Sequence, residues 1–182
     1  MSTTTTVILL IVLVILAAAA FGAWSVLRRR SLRQRFGPEY DRVIEEYQDR
    51  PTAENELRDR ERRHAALELK ELTPKSRARY TANWQELQVH FIAEPQTAVN
   101  EADDLVTELI AERGYPTGDY DEQLAQLSVD HANTLESYRE AHEISLKNRR
   151  GEADTEELRQ AVVHYRALVA ELLGEQPVPL NP

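Results

Sequence analysis

The chain of 182 residues is predicted to be all-α, an N-terminal transmembrane helix followed by a soluble bundle of about five to six helices. Three observations predict this. A long aliphatic run near the start carries no charge. Caps and prolines punctuate the rest at helical lengths, and no stretch alternates with the period of two that a strand needs.

The apolar run spans residues 7–27, and Val7 to Leu16 is continuously aliphatic. At about 1.5 Å per residue it covers about 30 Å, the hydrocarbon thickness of a bilayer. Residues 1–6 carry no charged side chain, whereas Arg28, Arg29, Arg30, Arg33 and Arg35 follow the run at once. Arginines beside a membrane span stay on the cytoplasmic side. The expected topology is therefore a short extracytoplasmic N-terminus (1–6), a span (7–27) and an arginine-rich juxtamembrane segment (28–36) inside. A cleaved secretory signal is the rival, with Ala18-Ala19-Ala20 as its small-residue site, but a signal carries its positive charge before the apolar run. The five arginines are candidate contacts for anionic lipid headgroups, at about 1 kcal/mol each.

Residues 37–174 are read as one acidic helical-bundle domain. Gly37-Pro38 ends the anchor helix and Pro38 opens a short helix through Tyr47. Asp49-Arg50-Pro51-Thr52 is a second break. The stretch from there to Leu72 is strongly charged, with Glu54/Arg58, Glu56/Arg60 and Asp59/Arg63 at i,i+4 spacing, and reads as a largely solvated helix. Thr73-Pro74 is an N-cap with proline at the first helical position. Tyr80, Trp84, Leu87 and Phe91 share one face of the helix that follows. After Glu94-Pro95, a helix to Arg113 turns Val99, Ala102, Val106, Leu109 and Ile110 inward, and Glu101, Asp104, Glu108 and Glu112 form an acidic stripe. Gly114 terminates it. Asp119 with Glu122 opens a short helix to about Leu127, and Ser128 caps a longer one to Arg150. Asp154 and Glu157 cap the last helix, whose Leu158, Val162, Tyr165, Val169 and Leu172 form a packing seam matching the aromatic face. Residues 175–182 are a proline-rich tail.

Charge and composition exclude several functions. All 31 acidic residues lie beyond residue 36, against 17 basic ones there, so that part carries a formal charge of −14. Such a surface repels phosphate backbones, and nucleic acid is not an expected partner. Without cysteine there are no disulfides, thiolate metal sites or cysteine nucleophiles. Arginine outnumbers lysine 19 to 3, a bias of GC-rich bacterial genomes.

Candidate chemistry is sparse. His131, Tyr138 and His142, with Leu135 and Leu146, would line one side of a single long helix and offer a proton-transfer face, or else pack as core residues with satisfied polar tips. Glu61-x-x-His64 matches half of a di-metal carboxylate motif, but no second pair exists and Arg60, Arg62 and Arg63 would repel a cation. No cofactor or metal is expected. Tyr115, Pro116 and Tyr120 are candidate partner contacts, aromatics on an exposed loop, with packing against the bundle as the alternative. Ala18, Gly22 and Ser25 put small residues on one side of the anchor, where a homo-oligomer could form.

Arg35-Phe-Gly-Pro-Glu-Tyr-Asp-Arg42, the Trp84…Gln88…Phe91 run, Arg113-Gly-Tyr-Pro116, Leu127-Ser-Val-Asp-His131 and Thr155-Glu-Glu-Leu-Arg159…His164-Tyr-Arg166 in combination resemble an uncharacterised family of small bacterial, mainly actinobacterial, single-pass membrane proteins with a helical cytoplasmic domain. The resemblance implies an anchored helical protein and brings no catalytic residue or cofactor. The function expected is that of a membrane-anchored, non-enzymatic binding or scaffolding protein, envelope- or stress-related, with a protein partner. The alternatives are an enzyme using His131, Tyr138 and His142, or a purely structural membrane oligomer.

Overall fold

An aliphatic run with no glycine or proline for its first fifteen residues has nothing to stop a helix, and α1 (Thr3–Tyr47) passes through it and through the arginines without interruption. The computed structural model describes residues 3–174, except for the side chains of 3–10 and 21. The expected proline-rich tail, 175–182, lies outside the described residues. All regular structure among them is helical, in seven helices.

Gly37 breaks α1 as expected. Its backbone (φ 45°, ψ −125°) is non-helical, a region glycine enters without a Cβ penalty, and Pro38 behind it has no N–H to rejoin the ladder. At Gln48 the backbone turns left-handed (φ 53°). The Asp49 carboxylate accepts from the Thr52 amide at 3.0 Å and opens α2 (Arg50–Ala65).

The chain divides into two compact units, Met1–Leu57 and Arg58–Pro182, so the stretch 37–174 straddles the division, which falls inside α2. In the first unit the apolar face of α1 is bare: Ile11 to Leu16, Trp24, Val26 and Leu27 are all exposed. This is the one helix among the described residues long and apolar enough to cross a membrane. Beyond it, Glu54 accepts from Tyr40 Oη at 2.9 Å and pairs with Arg29 at 3.3 Å, tying the start of α2 back to α1.

The second unit is a helical bundle of α3 (Pro74–Ala93), α4 (Pro95–Glu112), α5 (Tyr120–Asp130), α6 (Leu135–Arg149) and α7 (Thr155–Leu172). Its centre is α4, which packs against α3, α6 and α7, while α6 and α7 pair closely. The amphipathic pattern of α4 explains this position. Ala98, Val99, Ala102, Leu105, Val106, Leu109 and Ile110 are buried over a broad arc, enough to face three neighbours. The aromatic face of α3 enters the same core as Tyr165, Leu168 and Val169 of α7. The two faces do not meet as a simple pair, because α4 packs against both.

Two segments differ from expectation. The polar α2 stops at Ala65, short of Leu72, and its end is not merely solvated, since Arg60 and His64 are buried. After a turn at Ala66 and Leu67, residues 68–73 run without regular structure past the end of α4, where the Lys70 amide donates to the Arg113 carbonyl at 2.9 Å. That bond satisfies an orphan carbonyl at the helix end, and Leu72 reaches the core. Gly114 (φ +94°) makes the approach feasible, because a Cβ there would lie 2.6 Å from the Glu68 carbonyl oxygen. The second difference is at Ser128. It is no cap but a buried residue inside α5, donating to the Ala125 carbonyl at 2.6 Å. The break falls later, at His131 to Thr134, and α6 begins only at Leu135.

Candidate functional site

The late break separates the histidines that a single long helix would have aligned. His131 becomes the C-cap of α5, its amide bonded to the Leu127 carbonyl, whereas Tyr138 and His142 lie on α6. Each histidine has its own polar neighbourhood.

Asp103 organises the first. It sits on the inward side of α4, 5% exposed, in step with Val99, Val106 and Ile110. Its Oδ1 accepts from Tyr165 Oη of α7 at 2.5 Å and lies 2.9 Å from His142 Nδ1, while Oδ2 accepts from Arg149 at 2.8 Å. Burial pushes the carboxyl up. The hydrogen bonds from His142 and Tyr165 and the charges of His142 and Arg149 outweigh that, so it is held below its ordinary value. Tyr165 moves far upward, mainly through burial and then through the facing Asp103 charge. Tyr120 stacks on the His142 ring, centroids 4.4 Å apart, and Tyr138 donates to Gln123 Oε1 at 3.1 Å.

A carboxylate that orients an imidazole is half of an acid–base pair. Here the same carboxylate also holds a buried phenol and a guanidinium, which uses its lone pairs to fasten α4, α6 and α7 together. Sequence reasoning missed Asp103. The signal was present: an aspartate at a seam position between Val99 and Val106 needs buried partners.

His131 organises the second neighbourhood. Its Nε2 lies 3.1 Å from Tyr115 Oη, and Nδ1 lies 3.1 Å from Glu171 Oε1, off the ideal hydrogen-bond line. Thr134 donates to the other Glu171 oxygen at 2.6 Å. Burial pushes Glu171 up, but the hydrogen bonds from His131 and Thr134 prevail and hold it down. On the far side of Tyr115 is the His64 ring, at 6.0 Å, whose Nε2 lies 3.2 Å from Asp130 Oδ2. The half-motif Glu61-x-x-His64 thus ends in a buried histidine facing an aspartate. Among the described residues no group of three metal-ligating side chains converges.

The loop expected to expose aromatics does not expose Tyr115, which is 4% accessible and belongs to the core. Pro116 and Tyr120 are half-buried, and Tyr120 packs against the core. Loop-to-bundle packing describes these side chains, because Gly114 turns the chain inward directly after α4.

Of the arginines, Arg29 pairs with Glu54, and Arg33 donates to Asp41 at 2.8 Å while its guanidinium lies over the Tyr40 ring. Arg28 lies over Trp24, 4.7 Å from the ring centroid. Arg30 and Arg35 are exposed. In the small-residue stripe, the Ser25 hydroxyl bonds back to the Gly22 carbonyl at 2.8 Å, and a Cβ at Gly22 would meet nothing within 4 Å.

These features define an all-helical protein with one N-terminal helix long and apolar enough to cross a membrane. Comparison with known protein families, with curated proteins and with solved structures gives no match.

Proposed function

We propose that this is a membrane-anchored, non-enzymatic binding or scaffolding protein with its acidic helical domain in the cytoplasm. The observation that carries the reading is the bare aliphatic face of α1, every described large side chain from Ile11 to Leu16 being about half exposed or more, followed directly by arginines. In water that surface would be costly at roughly 25 cal/mol per Å2, and in lipid it costs nothing. The placement of all five arginines after the run supports an N-terminus outside. Arg28 and Arg30, which have no carboxylate partner among the described residues, are the best placed for anionic headgroups.

Paired C-terminal fusions test it. A green fluorescent protein fusion should glow in the membrane fraction and an alkaline phosphatase fusion should be inactive. The reverse pattern, or a mature chain starting near Phe21, would overturn the topology. Protein recovered from the soluble fraction after cell breakage would overturn the anchor itself.

A further inference from the structure

Between α3 and α4 runs a groove of about 730 Å3, lined by Leu87 and Leu105 at its floor and by Asn83, Glu86, Val89, His90, Glu101, Asp104 and Glu108. Four carboxylates and no lysine or arginine border it. Its walls follow from helical spacing. Glu101, Asp104 and Glu108 step by three and four along the side of α4 opposite its buried arc, and Val89 and His90 lie three and four residues after Glu86 on one side of α3. Glu101 binds His90 Nδ1 at 3.0 Å, and Asp104 lies 3.4 Å from Arg149. Glu86 and Glu108 have no ion-pair partner among the described residues. The hydrogen bond to Glu101 draws His90 above its ordinary value against a desolvation effect, with the charges of Glu101, Glu94 and Glu86 adding to it. That shift registers the negative field of the groove.

At the rim of the groove Val89 is 70% exposed, whereas Ile92, 85% exposed, lies further round α3 and does not line it. Neither position is needed for the core, and each stands where a lysine or glutamate would keep the helix soluble. An apolar edge beside an acidic trough is complementary to one kind of surface, a helix with apolar residues on one side and cations along its margins.

We infer that the α3–α4 groove docks a basic amphipathic helix of a partner protein, whose apolar side covers Val89 above the Leu87 and Leu105 floor and whose lysines or arginines meet Glu86, Glu101, Asp104 and Glu108. This inference rests on the reading of the protein as a binding module and names the chemistry of its partner. It does not depend on the anchor, so a soluble-fraction result would sink the topology and leave the groove standing.

The test uses the full chain in phosphatidylcholine nanodiscs, with empty discs as the reference, because basic amphipathic peptides also partition into lipid. The probe is a labelled leucine–lysine peptide of roughly 14 residues, about four turns, with its leucines on one helical face. Binding by fluorescence anisotropy should exceed that to empty discs and weaken with salt. A peptide with glutamate in place of lysine, and one with serine in place of leucine, should each bind at least about tenfold more weakly. The exposed variants Glu86→Lys with Glu108→Lys, and Val89→Asp alone, should lower affinity by a similar factor while circular dichroism stays unchanged, and Ile92→Asp, outside the groove, should leave it unaltered. If a charge-reversed variant loses helicity, Glu86→Gln with Glu108→Gln replaces it, and a flatter salt dependence is expected. Binding no stronger than to empty discs, equal binding of the glutamate peptide, or affinity unaltered in both the folded charge-reversed variant and Val89→Asp would overturn the inference.

Discussion

The two units of the chain stand in contrast in where their apolar surface and their charges go. Before Leu57, the largest aliphatic surface faces outward, and the pairing spans at most 25 positions in sequence: Arg33 with Asp41, Tyr40 and Arg29 with Glu54. After it, the aliphatic and aromatic side chains close on one another in a core. The main polar hub there joins residues 39 to 62 positions apart in sequence. The difference teaches how each is stabilised. On the proposed membrane reading, the first helix meets lipid, satisfies its backbone internally and needs no partner to fold. A bundle in water gains its stability only when distant segments meet, so a buried charge at the meeting point costs heavily unless every partner arrives.

Removing that hub gives the largest effect. Asp103→Ala leaves Tyr165, His142 and Arg149 without their acceptor and should cost about 3–5 kcal/mol in urea unfolding, the size expected for Trp84→Ala in the same core. A loss below about 1 kcal/mol would mean that the three helices hold without the carboxylate, and the contrast drawn above would fail.

Next in size is Gly114→Ala. The left-handed backbone and the Glu68 carbonyl 2.6 Å from the new methyl should together cost roughly 1–3 kcal/mol. The loss should concentrate on residues 66–73, whose amide exchange should quicken before that of α6 and α7. Uniform quickening would show that this segment is no separate layer of the unit.

The pH dependence sharpens the contrast further. Asp103 and Glu171 are both held below their ordinary values of 3.8 and 4.5, so each favours the folded state while ionised. Their contribution is full above those values and is lost as pH falls through the lower, folded ones. The melting temperature of the second unit should therefore drop as pH falls below about 4.5. Asp103→Asn should flatten part of that drop, and a profile identical to wild type would remove Asp103 from the account.

The smallest effect belongs to the first unit. Asp41→Asn breaks an ion pair whose side chains are both more than half exposed, and should change stability by under about 1 kcal/mol. A larger loss would show that the arm before Leu57 is held by its charges, as the bundle is.

Much of the fold was legible because its signals are local. The caps at Thr73, Asp119 and Asp154 each accept a backbone amide three residues ahead, within reach of a few rotatable bonds. The glycine breaks at 37 and 114 follow from backbone sterics alone. The inward stripes of α3, α4 and α7 follow from period. The candidate site was less legible. His131 and His142 read as one face because Leu127 to Arg150 contains neither glycine nor proline, yet the chain breaks at His131, where Thr134 finds Glu171 of α7 as its acceptor. Tyr115 read as a surface aromatic because its neighbours Pro116, Thr117 and Gly118 mark a loop, while its hydroxyl finds His131 in the interior.

The sequence by itself determined the apolar N-terminal helix, its flanking charge, the helix ends and the side each helix turns inward. Each of these depends on neighbours within about a turn, or on composition alone. Only the tertiary structure decided that Asp103 fastens three helices, that Tyr115 turns inward between two histidines, and that an acidic trough with an apolar edge opens between α3 and α4. Those outcomes depend on which distant segments share a volume. Period places a residue on a side of its helix, but the partner across from it is chosen by packing, where burial and the satisfaction of polar groups are settled by many residues together.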